Sequence, residues 1–339
     1  MCSSDLAGGI LGVLAASGVD VPWAIALGAA AIALGGALPA RAKEAAQKPR
    51  PAPQKHYPTP EAAADALAAA IAAQGNAALL EVLGPKAKPI IDSGDPVADA
   101  NARKRFEEAW AAAHAIQAEG DAKATLDVGS DRWPFPVPIV KEASGWRFDT
   151  DAGDDEILAR RIGRNERSAI QVCLAYVDAQ REYYEADPDK DGLLHYASRI
   201  ASTPGRRDGL YWPTKEGEPP SPLGPEFAAA KQEGYAPGKG EPYHGYRYRI
   251  LTSQGPHAKG GAYDYVAKKE LFGGFALVAW PATWGTSGVM TFLVNQDGVV
   301  FEKDLGPDTA KAVAKIKSFD PDPSWKAVPE SDTAPDDEM

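Results

Sequence analysis

The chain has few of the residues on which disulfide-rich domains and metalloproteins depend. Only two cysteines, Cys2 and Cys173, occur in 339 residues, and two thiols cannot build a disulfide scaffold or a four-thiolate zinc site. The five histidines include no pair at helical or hairpin spacing. No Gly-x-Ser-x-Gly motif is present, and Gly260 and Gly261 lack the Lys-Ser/Thr of a phosphate loop. The usual sequence signatures of metal, thiol and serine chemistry are therefore missing.

Positive charge is also in short supply. Lys and Arg number 36 against 47 Asp and Glu, which leaves a net charge of −11. Proteins that bind nucleic acid need clustered Lys and Arg to neutralise phosphates, so this balance argues against that class. The 44% hydrophobic and 24% charged residues are typical of a globular protein. At about twice the ~150 residues of an ordinary domain, the length predicts two domains.

One long uncharged run stands near the N-terminus. Val21–Ala40 is rich in Ala and Gly and is followed by Ala40-Arg41-Ala42, a small-x-small cleavage pattern. We interpret 1–42 as a secretory signal cleaved after Ala42, with a retained membrane anchor as the alternative. The basic segment that should precede such a run is absent. We interpret Cys2–Leu6 as a sequence-assembly artefact, and an authentic but unusual leader is the alternative.

The first predicted domain spans 59–152, after a Pro- and Lys-rich linker at 43–58. Thr59-Pro60 and Asp95-Pro96 are typical helix starts, and the second predicted helix carries apolar residues as far as Ile116. The pattern then alternates, which indicates antiparallel strands at Thr125–Val128, Val137–Val140 and Trp146–Phe148. Helices followed by a small sheet predict an α+β domain.

The second predicted domain spans 153–326 and is followed by an acidic tail, 327–339, which we expect to be disordered. Apolar residues recur at helical spacing over Asp154–Glu185, which predicts one long helix, and Cys173 lies on its apolar side as a buried core thiol. Shorter helices are predicted at Leu193–Ile200 and Pro225–Glu233. Four strands, with a turn at Asp297-Gly298, are predicted at Tyr246–Leu251, Gly274–Trp280, Val289–Asn295 and Val299–Glu302. The long helix packed on this antiparallel meander completes an α+β fold.

Several long blocks resemble a known family. They are Asn165-Glu166, Ala175–Tyr183, Asp208–Pro213, Ser221–Pro225, Pro242–Tyr246, Gly273–Pro281 and Asp304–Pro307. Together they are similar to the signature blocks of the domain-of-unknown-function 2950 family, over about 59–325. The resemblance implies an exported bacterial protein without an assigned activity.

A second resemblance concerns the second predicted domain. The Asn-Glu helix start, the Gly-Tyr-Arg-Tyr strand and the final hairpin at Asp297-Gly298 are similar to the globular domains of type IV pilins and pseudopilins. Pilins place an apolar membrane helix directly before this helix, whereas here a whole domain precedes it. The resemblance implies a pilin-like fold that does not polymerise.

Alternating carboxylates after the long helix form a candidate calcium site. Asp187, Asp189 and Asp191 are followed by Gly192, as in the first half of a calcium-binding loop. The position that should carry a bidentate Glu is Ser198, so a full loop is excluded. A half-loop completed by other oxygens and a polar turn without metal are the two alternatives.

Aromatic side chains in loops rich in Gly and Pro form a candidate binding surface. They are Tyr211, Trp212, Tyr243, His244, Tyr246, Trp280 and Trp284. Aromatic faces with polar tips suit glycans or peptides, and anchoring of loops at the sheet edge is the alternative.

These observations predict a non-enzymatic protein of the bacterial envelope, periplasmic or secreted, that binds a protein or a glycan. The alternative is a periplasmic hydrolase that uses a pair of carboxylates. No nucleic-acid partner and no membrane span in the mature chain are expected, and calcium is the one cofactor that the sequence indicates.

Overall fold

The structure, a computed structural model, describes residues 53–188, 190, 192–236 and 241–333. All of them belong to one compact unit, Arg50–Met339. The predicted leader lies outside the described residues. The helices are α1 Pro60–Ala72, α2 Asn76–Leu83, α3 Lys88–Ile91, α4 Pro96–Ala112, α5 Asp154–Ala186, α6 Gly224–Gln232, α7 Thr309–Val313 and α8 Glu330–Thr333.

The strands are antiparallel and mostly short. They are β1 His114–Ala118, β2 Lys123–Val128, β3 Trp133–Pro134, β4 Ile139–Glu142, β5 Gly145–Phe148, β6 Tyr246–Leu251, β7 Ser253–Gln254, β8 Tyr263–Asp264, β9 Val266–Ala267, β10 Glu270–Leu271, β11 Ala276–Pro281, β12 Met290–Asn295, β13 Phe301–Asp304 and β14 Lys326–Ala327. Helices and antiparallel sheets in one chain confirm the predicted α+β class.

In the N-terminal half, three helices pack on a small sheet. Both predicted caps are formed: the Thr59 hydroxyl accepts a hydrogen bond from the Ala62 N–H, and the Asp95 carboxylate accepts two at the start of α4. The sheet order is β1-β2-β4-β5, with β3 beside β2. Leu67, Leu126 and Phe148 are at most 1% exposed between the helices and the sheet. These side chains form the core of the N-terminal half.

In the C-terminal half, α5 crosses a five-stranded sheet of order β14-β13-β12-β11-β6. Because side chains alternate along a strand, Leu277 and Ala279 of β11 face α5, whereas Ala276 and Val278 belong to a separate cluster on the other face. The predicted turn closes the β12–β13 hairpin, where Gly298 has φ 77° and its N–H donates to the Asn295 carbonyl. Strand β6 forms one edge of this sheet.

Two sequence predictions on secondary structure are wrong. The helix predicted to start at Asp95-Pro96 ends at Ala112 as α4, and Ile116 lies in β1 opposite Leu126. Leu193–Ile200 is irregular rather than helical, and Tyr196 forms a bridge with Leu271 there. In both places strand pairing, across the β1–β2 hairpin at Ile116 and with a distant segment at Tyr196, overrides a local helical pattern.

Polar contacts join the two halves. The Arg161 guanidinium of α5 donates to the backbone carbonyls of Pro89 and Ile90, and Asp95 accepts hydrogen bonds from Tyr235 and Gly245, more than 100 positions later. The predicted domain boundary near 152 stays a prediction.

Both predicted flexible ends make contacts where they are described. The Gln54 side chain donates to the carbonyls of Val82 and Phe148. At the other end, Val328 is 9% exposed and belongs to the core cluster under α5.

Candidate ligand-binding site

A cavity of about 570 Å³ lies between α5, α6 and the edge strand β6. We call it the edge cavity. Its apolar wall includes Val172 and Ala175 of α5, Phe227 and Ala230 of α6, and Leu277 of β11. This volume falls within the range of ~300–1,000 Å³ that ligand pockets have. The edge cavity is therefore the place where the described residues could hold a ligand.

Three of the predicted aromatic residues line the edge cavity: Tyr243, His244 and Trp280. The ring of Tyr243 meets that of His244 edge to face at 4.2 Å, and it meets the ring of Tyr235 at 4.9 Å. The structure thus brings together three of the seven predicted residues at the edge cavity.

Two further members of the predicted set lie behind the cavity wall. Tyr211 stacks on Phe227 with ring centres 4.0 Å apart, and Lys231 donates to its hydroxyl. Trp212 packs edge to face on Tyr183 and lies under the guanidinium of Arg207. Neither lines the edge cavity; Tyr211 supports its wall through Phe227, and the contacts of Trp212 lie outside the lining.

Tyr246 and Trp284 have partners elsewhere. Tyr246 is fully buried, and its hydroxyl donates to the Met290 carbonyl at 2.9 Å. The Tyr246 hydroxyl can occupy this position because residue 288 is a glycine: a Cβ there would lie 2.2 Å from the hydroxyl. The indole N–H of Trp284 donates to Asp304 at 2.8 Å. For these two residues the contacts match the loop-anchoring alternative.

Tyr248 is the residue that the sequence interpretation missed. It lines the edge cavity, and its hydroxyl is buried with no hydrogen-bond partner among the described residues. Burial raises the pKa of this phenol well above its ordinary value, which keeps it protonated at neutral pH. The alternation of Tyr246 and Tyr248 along a predicted strand was the available signal, since it places both rings on one face of the sheet.

The mouth of the cavity is acidic. Glu226 and Glu241 are exposed and line it, and Glu233 forms an ion pair with His244 at 3.1 Å. Burial, followed by the charges of Glu233 and Glu226, raises the pKa of Tyr243 to about 12. The phenols are thus neutral hydrogen-bonding groups beside an anionic rim.

Asp95 positions this wall from the other half of the molecule. Its Oδ1 accepts from the N–H groups of Val97 and Ala98, and its Oδ2 accepts from the Tyr235 hydroxyl at 3.0 Å and the Gly245 N–H at 2.8 Å. Gly245 has φ 76°, and a Cβ there would lie 2.4 Å from Asn165. One buried carboxylate therefore holds the helix α4, Tyr235 and the turn that carries His244.

The Asn165-Glu166 pair, one of the family-like blocks, anchors α5. The Asn165 amide donates to the Ser287 carbonyl, and the Glu166 carboxylate accepts from the N–H groups of Val289 and Met290. Cys173 is fully buried, as predicted, and burial raises the pKa of its thiol to about 12. These groups are structural.

Only one of the candidate calcium ligands is within the described residues. Asp187 ends α5 in the left-handed region, with φ 41°, and its carboxylate accepts from the Gly192 N–H. Asp189 and Asp191 lie outside the described residues. Across the described part of the chain, no group of three or more His, Cys, Asp or Glu could hold a metal ion. Calcium binding stays a prediction.

In the ranges that the structure covers, no helix is both long and apolar enough to cross a bilayer.

Comparison with known proteins identifies a family but no individual relative. No curated protein and no solved structure matches the chain significantly. The family model described as "Protein of unknown function (DUF2950)" matches residues 54–328, which includes both halves and every residue of the edge cavity. The chain belongs to the DUF2950 family.

Proposed function

We propose that this protein is exported to the bacterial envelope and binds a ligand, a protein segment or a glycan, in the edge cavity without converting it. The observation that carries the proposal is the edge cavity itself, about 570 Å³ of space whose largely apolar wall is bordered by the rings of Tyr243, His244 and Trp280.

The polar groups of the cavity support binding. Tyr235 and Tyr243 have raised pKa values through burial and neighbouring carboxylates, so they stay neutral. Neutral phenols with aromatic faces give direction and contact area to a bound molecule. The apolar walls of α5 and α6 add burial for its nonpolar part.

Export is supported by the sequence of the N-terminal segment. The uncharged run Val21–Ala40 and the small residues Ala40 and Ala42 match a cleavable secretory signal. Cell fractionation of a bacterium that expresses the chain, with N-terminal sequencing of the product, tests this. We expect a periplasmic or secreted protein that begins at Lys43. An uncleaved chain in the membrane fraction would favour the retained anchor.

The binding proposal is tested by filling the cavity. Ala175→Trp places a large ring inside it, and Ala159→Trp places the same ring on an exposed part of α5 outside it. Both variants are titrated, with the wild type, against soluble cell-wall glycopeptides and a random peptide library. We expect Ala175→Trp alone to lose at least about tenfold in affinity. Equal affinity in all three proteins would contradict the proposal.

A periplasmic hydrolase is the second candidate, because two carboxylates, Glu226 and Glu241, line the same cavity. A paired acid and base is the minimum that hydrolysis by carboxylates requires. Incubation with the same glycopeptides followed by mass spectrometry separates the two functions. Turnover by the wild type that Glu226→Gln or Glu241→Gln abolishes would establish the enzyme, and intact glycopeptides after binding would favour the binding protein.

A further inference from the structure

Strand β6 has an interrupted edge. At one end, the N–H and carbonyl of Tyr246 pair with Tyr243, and at the other end the Thr252 carbonyl accepts from the Tyr265 N–H. Gly245 pairs with Ala282 on the β11 side, and Pro281, which has no N–H, stands opposite Tyr246. By alternation, the backbone groups of Tyr248 and Ile250 point away from β11.

The outward backbone groups of Tyr248 and Ile250 have no hydrogen-bond partner among the described residues. They supply two donors and two acceptors in a row. An edge of this kind is a template for another strand. Proteins usually protect such an edge with a bulge, a proline or a cover, and here the pairs at Tyr246 and Thr252 limit the free edge to the stretch between them.

The edge cavity reaches this edge. Tyr248 faces α5, whereas Arg247 and its register partner Trp280 lie on the other face of the sheet, and all three line the cavity. A cavity lined from both faces passes across the edge of the strand. A ligand inside it therefore lies beside Tyr248, and an extended ligand that follows the strand out of the cavity reaches Ile250.

We infer that the ligand of the edge cavity is an extended peptide with a basic side chain, which adds to β6 as a sixth strand of the sheet. This inference rests on the proposed function. Main-chain hydrogen bonds at an exposed edge provide affinity for extended peptides, and pockets for alternate side chains provide specificity. The apolar wall at Val172, Phe227 and Leu277 takes the inward side chains.

Charge at the rim defines the chemistry of the peptide. Glu226 and Glu241 are exposed at the mouth of the cavity, and the whole chain has a net charge of −11. Arg247 of β6 also lines the cavity, but the charges at the mouth are carboxylates, which attract a Lys or Arg of the peptide.

The length of the free edge sets the length of the peptide. Because Tyr246 and Thr252 are already paired, the free stretch is Arg247–Leu251, which at about 3.3 Å per residue spans about 13 Å and takes about four extended residues. A glycan would use the aromatic faces but has no regular ladder of donors and acceptors to match Tyr248 and Ile250. The backbone pattern thus favours a peptide over a glycan.

The first experiment tests the backbone pairing from the side of the peptide. A peptide is selected from a random 12-residue phage library on the secreted full-length protein and is then synthesised with single N-methylated residues along its length. In strand addition, only alternate N–H groups face the protein. We expect affinity to fall about tenfold or more at alternate positions of the central segment and to change little between them.

A loss at consecutive positions, or at none, would overturn strand addition. So would a selection that yields no binding peptide. Binding of a glycopeptide that Ala175→Trp abolishes, without any peptide binding, leaves the proposed function intact and overturns this inference. If neither probe binds, both fail.

The second experiment tests the protein side. Ile250→Pro removes the outward N–H of an edge strand, a position where proline is tolerated, and Ile250→Val keeps it. We expect about tenfold weaker peptide binding for the first and less than about twofold for the second. Near-ultraviolet circular dichroism checks that both variants are folded. Equal affinities in two folded variants would overturn the inference.

Charge recognition is measured with the double variant Glu226→Gln/Glu241→Gln. We expect about three- to tenfold weaker binding of a Lys-containing peptide and a flatter dependence on salt. A selected peptide set without basic residues, or an unchanged salt dependence, would overturn the basic-peptide part. Self-association of the wild type in sedimentation, competed by no peptide, would assign the edge to a second copy instead.

Discussion

The two halves of the molecule both cover an antiparallel sheet with helices, and in the C-terminal half the edge cavity opens beside the sheet. In the N-terminal half, Phe148 and Leu67 lie at the interface and are at most 1% exposed. In the C-terminal half, α5 packs mainly over β12 and β11, so the edge strand β6 is left to α6 and the loop around Tyr243. The edge cavity therefore results from the position of α5, which covers the middle of the sheet and not its edge strand.

Replacing a phenylalanine by alanine should change the free energy of unfolding more in the N-terminal core than beside the edge cavity. Phe148→Ala removes a ring from a filled core, and we expect a loss of about 3–5 kcal/mol in the free energy of unfolding. Phe227→Ala removes a ring that borders the cavity, so fewer contacts are lost, and we expect a loss at least about 1 kcal/mol smaller. Urea denaturation measures both. Equal losses would remove the distinction between the two interiors.

The link between the halves is the next largest effect. Asp95→Ala removes the cap of α4 and leaves the Tyr235 hydroxyl and the Gly245 N–H without their acceptor. We expect a loss of about 2–3 kcal/mol in stability and weaker ligand binding, because Tyr235 and the His244 turn are released. Asp95→Asn keeps one acceptor oxygen and should lose less. Full stability in Asp95→Ala would show that the halves are held independently of this carboxylate.

Two tyrosines on one strand give the most closely matched test. Tyr246→Phe removes a hydroxyl that donates to Met290, and we expect a loss of about 0.5–1.5 kcal/mol. Tyr248→Phe removes a buried hydroxyl that has no partner among the described residues, so we expect unchanged or higher stability. Thermal and urea unfolding compare the variants. A destabilised Tyr248→Phe would mean that its hydroxyl has a partner in solution.

The smallest expected effect concerns the carboxylate of Glu302 in β13. Burial first, and then the charges of Glu166 and Asp332, raise the pKa of Glu302. Its ionised form is therefore less favourable in the folded state than in the unfolded one, and stability is lost as pH rises through the range between the two pKa values.

Replacing this group removes that dependence. We expect Glu302→Gln to be slightly more stable than the wild type at pH 7, with the difference vanishing toward about pH 4. Thermal unfolding across this range measures it, with Glu182→Gln on the exposed face of α5 as the control. A difference that grows as pH falls would contradict the raised pKa.

Local signals predicted the elements that begin with their own cap or contain their own turn. Thr59 and Asp95 cap helices as expected, and Gly298 closes the expected hairpin, because these interactions lie within a few residues. Strand β1 was missed because the apolar spacing up to Ile116 continued the helical pattern of α4. Pairing of Ile116 with Leu126 across the β1–β2 hairpin decided its conformation instead.

The candidate site was predictable in part for the same reason. Tyr243 and His244 lie in a loop whose composition indicated a surface, and both line the cavity. The different environments of Tyr246 and Tyr248 were not predictable, because the same alternation places both rings on the same face. Whether a phenol hydroxyl finds a hydrogen-bond acceptor depends on how the neighbouring elements approach the strand.

The sequence alone therefore determined the fold class, the family, the capped helices and the burial of Cys173, all of which follow from local chemistry or from whole-length pattern. The tertiary structure decided that Asp95 holds the wall of a cavity 140 residues away, that the edge of β6 is left free, and that the Tyr248 hydroxyl has no partner. Side-chain satisfaction is a property of three-dimensional neighbours, and the linear pattern of residues does not specify which distant atoms those neighbours are.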